Sequence, residues 1–447
     1  FLVGGLLIGA LRPTNTWDFP VYLVLGLLAV VYTSLVNPVS FSRHLKSWPE
    51  SGKRWFVAIL SAGLLAALAF LLYKPFADWY GAGYTAVDLW EGDRSPFWSY
   101  LTHWGLFLFA ITSWLVWESI EWMKKTPLSA ARRLKPYAWI LQGCAILLVG
   151  VIVVLTILGI QVAWIVLLVG VWVTVLMMRP GLPDAKRLVL FLVGTGMVLT
   201  LVVELIVLKG DIGRMNTVFK FYLQAWTLLS ISAAAGLMWL FPEMLRARNT
   251  GWRNAWQVVL ALLVFGAALF PFMGGSDKIR DRMATSAPHT LDGMAYMPYT
   301  SYADQGVEMD LRQDYEAIRW MQENIEGSPV IVEAHVTEYH WGSRFTIYTG
   351  LPGVVGWNWH QRQQRGVSST EWVTDRVEEV GQFYQTTDRF AVESFLTEYD
   401  VSYVIVGQQE KAYYTNEGLV KFPAWEGELW DQVYSKEDTT IYQVKNR

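Results

Sequence analysis

Eight apolar stretches of nearly bilayer-spanning length follow one another at 19–36, 55–73, 100–117, 138–158, 162–178, 188–208, 219–241 and 255–273. A span takes about 20 residues, and only a helix or a closed barrel satisfies its own backbone there. The chain is therefore expected to be a polytopic α-helical membrane protein. An opening apolar stretch, 1–11, is too short to cross, so the chain is expected to start inside a helix of a longer protein. A cleavable signal peptide is not expected, because no basic segment precedes that stretch and no small-residue site ends it. Hydrophobic residues make up 53% of the 447 and concentrate in the first three fifths, which leaves the remainder as a polar tail.

Charge divides the loops into two sets. One carries Arg43, Lys46, Lys53 and Arg54, then Lys124, Lys125, Arg132, Arg133 and Lys135, then Arg179, Lys186 and Arg187, then Arg246, Arg248 and Arg253. By the positive-inside rule these loops are cytoplasmic. The turn at 13–20, the acidic and aromatic loop 74–99, the stretch after 208 and everything after 273 then face outside. This gives a transmembrane domain over 1–273 and an extracytoplasmic domain over 274–447, in a protein of the plasma membrane. A net charge of −3 without a basic, aromatic-interleaved patch points away from nucleic acid. The single cysteine, Cys144, lies in an apolar stretch and excludes both a disulfide framework and a CxxC site.

Polar groups inside apolar stretches are costly and normally face a bundle or a wet cavity. The segment from Lys209 to Trp226 carries such groups: its turn rests on Gly210 and Gly213, and Asn216, Lys220 and Gln224 follow at four-residue spacing on one helix face. Either this stripe is a site, or Lys220 reaches the lipid headgroups along its alkyl stem. Asp18 and Asn15 in the first outer turn are cap residues or present a carboxylate to the outer cavity. Asp211 is a second candidate carboxylate. Glu204 is expected to pair with Lys220 or Arg214. The charges of the 74–99 loop read as solvated, and His103 as packed and hydrogen-bonded.

After 273 the apolar runs shorten to strand length. A long loop is expected over 274–310, helices over 309–325, 370–384 and 389–399, and strands over 329–333, 402–406, 432–434 and 440–444, which describes a small α/β domain. His335, Glu338 and His340 follow a strand end but match no zinc spacing. Arg344, His360, Gln361, Gln364 and Arg365 form a denser set. These side chains either bind phosphate or carboxylate or dock the domain on the helices.

Three segments carry a family resemblance: Asn15-Thr-Trp-Asp-Phe-Pro20, Arg214-Met-Asn-Thr-Val-Phe-Lys-Phe-Tyr222, and Thr349-Gly-Leu-Pro352 followed by Gly356-Trp357 and His360-Gln361. Together they resemble the YYY membrane protein family, functionally uncharacterised archaeal and bacterial polytopic proteins, over nearly the whole chain. The tyrosine-rich stretch that names the family is missing, in keeping with the loss of an N-terminal part. The architecture is also similar to the C-type (GT-C) glycosyltransferase fold, whose members use polyprenyl-phosphate-linked sugars at the outer face. In that fold the catalytic carboxylate lies in a first outer loop that this chain does not include, so the catalytic base is not carried over.

The resemblance implies a membrane glycosyltransferase with a lipid-linked sugar donor, surrounding membrane lipids and an acceptor as partners. In that expectation Arg214 and Lys220 at a helix N-terminus bind the lipid phosphate, with Asn216 and Gln224 beside them. Arg344, His360, Gln361 and Arg365 close the site, and Asp18 or Asp211 deprotonates the acceptor or holds a divalent metal, magnesium or manganese, beside the leaving phosphate. The rivals are a non-enzymatic lipid or envelope-glycan binding or transport protein, and a scaffold in which the stripe is filled by protein contacts.

Overall fold

The computed structural model describes residues 1–37, 49–81, 86–246 and 249–445. Arg43, Lys46 and Arg248, part of the 74–99 loop and the side chain of Arg133 lie outside the described residues. The chain divides into two compact units, Phe1–Phe76 with Tyr84–Phe272 and Ala77–Gly83 with Met273–Arg447. Each is described by itself.

The first unit is helical. Its helices are α1 (Leu2–Thr14), α2 (Asp18–Val36), α3 (Glu50–Leu71), α5 (Phe97–Lys125), α6 (Ala138–Ile157), α7 (Ala163–Met177), α8 (Asp184–Leu205), α9 (Met215–Arg246) and α10 (Thr250–Leu269), with a short α4 (Lys74–Trp79) after α3. Among the described residues seven helices are long and apolar enough to cross a membrane, and α1 and α7 are shorter apolar helices. The protein is thus an integral membrane protein with several apolar helices. Prolines set three of the starts: Pro49, Pro96 and Pro183 immediately precede α3, α5 and α8. A missing N–H there is harmless, since first-turn amides have no partner within the helix.

Helix α8 is the most enclosed element. It packs against α7 and α9, α5 packs on α9, and α3 carries α1 and α2. Trp104, Ile111, Trp114 and Leu115 of α5, Val193 and Met197 of α8 and Leu229 of α9 are fully buried between them. Two glycines permit the close approach. A Cβ on Gly196 would come within 2.8 Å of Leu229, and one on Gly236 within 3.1 Å of Trp114, the small-residue packing typical of membrane helices. Helix α6, by contrast, has no buried residue, so its apolar surface suits lipid.

The apolar stretch read as one helix over 188–208 does not stay helical to its end. Helix α8 stops at Leu205, and β2 (Ile206–Leu208) pairs antiparallel with β1 (Val87–Leu89), Asp88 facing Val207. Two β-branched residues followed by a buried leucine suit a strand as well as a helix end. Part of the loop read as merely solvated is therefore built into the helical unit.

The second unit is a small α/β structure. After α11 (Gly275–Arg282) come the hairpin β3 (Ser301–Asp304) and β4 (Val307–Asp310), α12 (Leu311–Asn324), β5 (Val330–Val332), α13 (Arg344–Thr349), α14 (Asn358–Gln364), α15 (Glu371–Gln385) and α16 (Arg389–Glu398). Then follow β6 (Val401–Val406), the short helices α17 (Gln408–Tyr413), α18 (Asn416–Leu419) and α19 (Lys421–Ala424), and the hairpin β7 (Trp430–Lys436) and β8 (Thr439–Val444). The main sheet has the order β5-β6-β8-β7, parallel between β5 and β6 and antiparallel elsewhere. Strand residues alternate between two cores: Val332, Val404 and Tyr442 face one, Ile331, Ile405 and Ile441 the other. Where a loop was expected over 274–310, a helix and a hairpin occur.

Lys421 lies inside this unit. Its ammonium donates to the carbonyls of Tyr384 (2.8 Å) and Gly418 (3.0 Å) and sits 4.7 Å from the Phe422 ring centre.

Gly236→Val must displace the buried Trp114 ring and should cost about 1–3 kcal/mol. Gly170→Ala, whose Cβ meets nothing within 4 Å, should be neutral or stabilising by up to about 1 kcal/mol. Apparent unfolding midpoints in detergent compare the two, and equal shifts would contradict the packing. Burial pushes the Lys421 ammonium down from 10.5 to about 7. Between those values the unfolded chain holds the proton and the folded chain does not, so this group makes stability rise with pH, at most by about 1.4 kcal/mol per unit. Lys421→Met should flatten that rise, read as hydrogen-exchange protection across α17–α19; an unchanged slope would refute the assignment.

Candidate functional site

The turn before α9 is held by Asp211. Its Oδ1 accepts from the backbone N–H (3.1 Å) and side-chain amide (3.0 Å) of Asn216, and its Oδ2 from the backbone N–H and hydroxyl of Thr217, both at 2.8 Å. Gly210 and Gly213 supply the positive φ values, 86° and 60°, that the turn requires. Burial opposes ionisation of Asp211, but the donors of Thr217 and Asn216 outweigh it and hold the carboxyl below its usual range. Asp211 is therefore a cap with both oxygens engaged, which corrects its expected place as a candidate base. It also takes the first amides of α9, so the expected anion site at that helix N-terminus is already filled by the protein's own carboxylate.

Arg214 is equally committed. Its guanidinium donates to the Val203 carbonyl (2.8 Å) and Ser95 hydroxyl (3.1 Å), pairs with Glu204 Oε1 (3.0 Å) and lies 5.4 Å from the Trp90 ring centre. Glu204, 1% exposed, also accepts the Ser95 N–H at 2.9 Å, while Arg94 donates to the carbonyls of Glu204 and Trp90. Of the two partners expected for Glu204, the structure selects Arg214. The expected phosphate role of Arg214 is corrected accordingly, since a buried carboxylate already holds it.

The rest of the stripe behaves differently. Asn216 turns to Asp211, and Gln224 donates from Nε2 to Asp18 Oδ1, which also accepts the Asn15 amide at 2.7 Å. Gln224 is 2% exposed and its Oε1 is buried without a partner among the described residues. Asp18 Oδ2 takes no hydrogen bond from any described residue. Between these residues lies Lys220, half-buried, its charge felt at Asp18. Among the described residues it makes no hydrogen bond and no ion pair within 4.0 Å. The stripe thus combines an oriented carboxylate with one open oxygen, a cation without a close partner, and a buried amide with an unfilled acceptor. His103 is exposed and, as expected, packed, edge-on against Trp104 (4.5 Å) and near Tyr222 (5.5 Å), but among the described residues it makes no hydrogen bond, which corrects that part of the expectation.

In the second unit Arg344 is fully buried. Its Nε donates to Asp314 Oδ2 (2.9 Å), Nη1 to Glu333 Oε2 (3.4 Å), and Nη1 and Nη2 to the two oxygens of Glu410 (3.2 and 2.8 Å). This corrects its expected role as a surface ligand. Burial pushes Asp314 and Glu333 above their ordinary values. It opposes ionisation of Glu410 as well, but Arg344 and the N–H groups of Ala334 and Gly407 hold that carboxyl low. Asp314 Oδ1 is buried without a partner among the described residues, which marks Asp314 as the carboxyl of the three that holds a proton most readily.

His360, Gln361 and Arg365 lie on or just after α14, each packed locally. His360 meets Tyr339 and Trp357, Gln361 Nε2 approaches Gly356 closely, and Arg365 shares the Trp372 ring with Arg376. His340 pairs through Nδ1 with Asp304 Oδ2 at 3.1 Å, and Glu338 accepts the Trp359 N–H. No group of three or more His, Cys, Asp or Glu that could hold a metal occurs among the described residues. Sequence reading passed over Ser95, Glu333, Asp314 and Glu410. For Glu333 the signal was an acid between the apolar Val332 and Ala334, whereas Asp314 and Glu410 stand among polar neighbours and offered none.

Asp314→Asn should leave the unit folded with a loss under about 1 kcal/mol, whereas Glu410→Gln breaks the bidentate pair and should cost roughly 3 kcal/mol or more. Hydrogen exchange across β5 and β6 reads both; equal losses would contradict this division of charge.

Residues 1–229 match the model of the family described as uncharacterized membrane protein (DUF2298). Asp18, Glu204, Arg214, Lys220 and Gln224 all fall within the matched segment. No curated protein matches the chain. With half of its length matched, the chain belongs to the DUF2298 family of uncharacterized membrane proteins.

Proposed function

We propose that this chain is a membrane glycosyltransferase that moves a sugar from a polyprenyl-phosphate-linked donor to an acceptor at the extracytoplasmic face. One observation carries the reading: Lys220 has no ion pair among the described residues and lies beside an Asp18 carboxylate with one open oxygen. An ammonium near lipid-headgroup depth is suited to a phosphate, and reduced solvation strengthens that attraction. In the proposed reaction Asp18 Oδ2 accepts the proton of the acceptor hydroxyl. The acceptor oxygen bonds to the anomeric carbon, the bond from that carbon to the phosphate oxygen breaks, and Lys220 balances the charge that grows on the leaving phosphate. Asn15 and Gln224 hold the carboxylate in place from its other oxygen.

The polarity of the helix ends supports an outward-facing site. Lys53, Arg54, Lys124, Lys125, Arg179, Lys186, Arg187, Arg246 and Arg253 adjoin the opposite ends of the helices. With that polarity the 274–447 domain is extracytoplasmic in a plasma-membrane protein. The described residues do not build a divalent-metal site here, because Asp211 is consumed as a cap and Asp18 offers a single free oxygen; no step is routed through a metal. A lipid-phosphate binding or transport protein would use Lys220 in the same way, and the open Asp18 oxygen favours the transferase over it.

Polyprenyl-phosphate sugars supplied to the protein in nanodiscs test this reading. Asp18→Asn should lower transfer by about a hundredfold or more while donor binding persists, and Lys220→Ala should abolish donor binding. Binding without transfer that Asp18→Asn leaves untouched would favour the binding protein, and absence of both would overturn the proposal.

A further inference from the structure

The segment after β5 carries two costs at once. Tyr339 has φ +69° and Ser343 φ +54°, left-handed conformations unfavourable for residues other than glycine. Tyr339 is also 78% exposed, so the strained backbone holds a large aromatic ring out in solvent. The ring is not free to swing: it packs 5.7 Å from Trp357 and 5.5 Å, edge to face, from His360, whose Nε2 lies 3.3 Å from the Tyr339 hydroxyl. Trp357 and His360 are themselves 5.4 Å apart. The rings are inclined to one another, by 58° between Tyr339 and Trp357 and 89° between Tyr339 and His360, so they share no plane and the exposed Tyr339 ring is the apolar surface they offer.

Polar atoms of neighbouring residues in the two segments are unfilled. Among the described residues His335 Nε2, Trp357 Nε1, Asn358 Oδ1 and Arg362 Nε are buried without hydrogen-bond partners, which is unfavourable for each. Strain and unfilled polar atoms in one pair of segments indicate an arrangement that a ligand can relax through a shift of the loop. The set contains donors (Trp357, Arg362), an acceptor (Asn358) and a ring nitrogen able to be either (His335). Glu338 adds a carboxylate: burial opposes its ionisation, but the Trp359 N–H and the neighbouring histidines hold it below its usual range. A bare anion would be repelled by Glu338 and would leave Asn358 unused, and a hydrocarbon would satisfy none of these atoms. A saccharide ring offers both an apolar C–H face and hydroxyls that donate and accept.

We propose that the exposed Tyr339 ring, braced by Trp357 and His360, stacks a saccharide whose hydroxyls take up the unfilled donors and acceptors of the neighbouring residues as the loop shifts. The proposal rests on the second unit alone and does not depend on the reaction assigned to Asp18 and Lys220. Saturation-transfer NMR on the full chain in nanodiscs, free of sugar-based detergent, tests it with maltotetraose, mannotetraose, cellotetraose and chitotetraose as probes. At least one should bind. Tyr339→Gly, which relieves the φ strain while removing the ring, should weaken binding about tenfold or more. Tyr339→Phe and Lys220→Ala should leave it within about twofold of the original. Binding unchanged in Tyr339→Gly, or binding to none of the four, would overturn the proposal. So would a finding that Tyr339→Gly instead reduces quenching of the protein by bromine-labelled lipid, which would make Tyr339 a membrane-interface side chain.

Discussion

The buried Glu204 carboxylate at the end of α8 is the interaction on which the candidate site depends. It accepts Ser95 N–H, pairs with Arg214, and its carbonyl receives Arg94. Those contacts tie the loop before α5 and the start of α9 to one helix end. They fix where the chain leaves α8 as β2, where the Asp211 turn falls, and hence which face of α9 points toward Asp18. Removing one partner of a buried ion pair typically costs about 3–5 kcal/mol, because a charge is left without compensation. A second buried acid acts at the other end of the bundle, where Glu118 binds Arg179 at 3.1 Å and Lys186, and Lys186 lies over the rings of Trp117 and Trp239. Each end is thus closed by a glutamate that gathers cations from other segments.

This arrangement divides labour between two cations six residues apart. Arg214 presents a planar fork that reaches a carbonyl, a hydroxyl and a carboxylate together, the geometry for which arginine is suited. Lys220 is a point charge on a flexible stem and has no close partner among the described residues. The difference converts a basic segment into a rigid support plus one available charge. Gln224 completes the support from below by orienting Asp18, so the first outer turn and α9 act together although about two hundred residues separate them in the chain.

Much of the helical architecture was legible in the sequence because length and apolarity alone define a span, and prolines mark three of the starts. The β1–β2 pair was not, since Ile206, Val207 and Leu208 continue the apolar run and only a partner strand over a hundred residues earlier makes them extended. The stripe was legible through four-residue spacing, but its chemistry was not. Asn216, Lys220 and Gln224 look equivalent on one helix face, and Asp211 and Asp18 decide which of them remains available. Arg344 shows the same limit: an arginine in a polar loop reads as a ligand, and only the convergence of Asp314, Glu333 and Glu410 from three other segments makes it internal. In the second unit the strands were legible as short β-branched apolar runs, because a sheet with a core on each face buries both sets of side chains.

The most direct test of this account is the position of a phosphate. Cryo-electron microscopy of the protein in nanodiscs with a polyprenyl phosphate should place the phosphorus about 3–4 Å from Lys220 Nζ, given usual charge-assisted hydrogen-bond lengths, with Asp18 Oδ2 facing the same space. A phosphate bound elsewhere, with the Lys220 side chain extended into the headgroups, would contradict it.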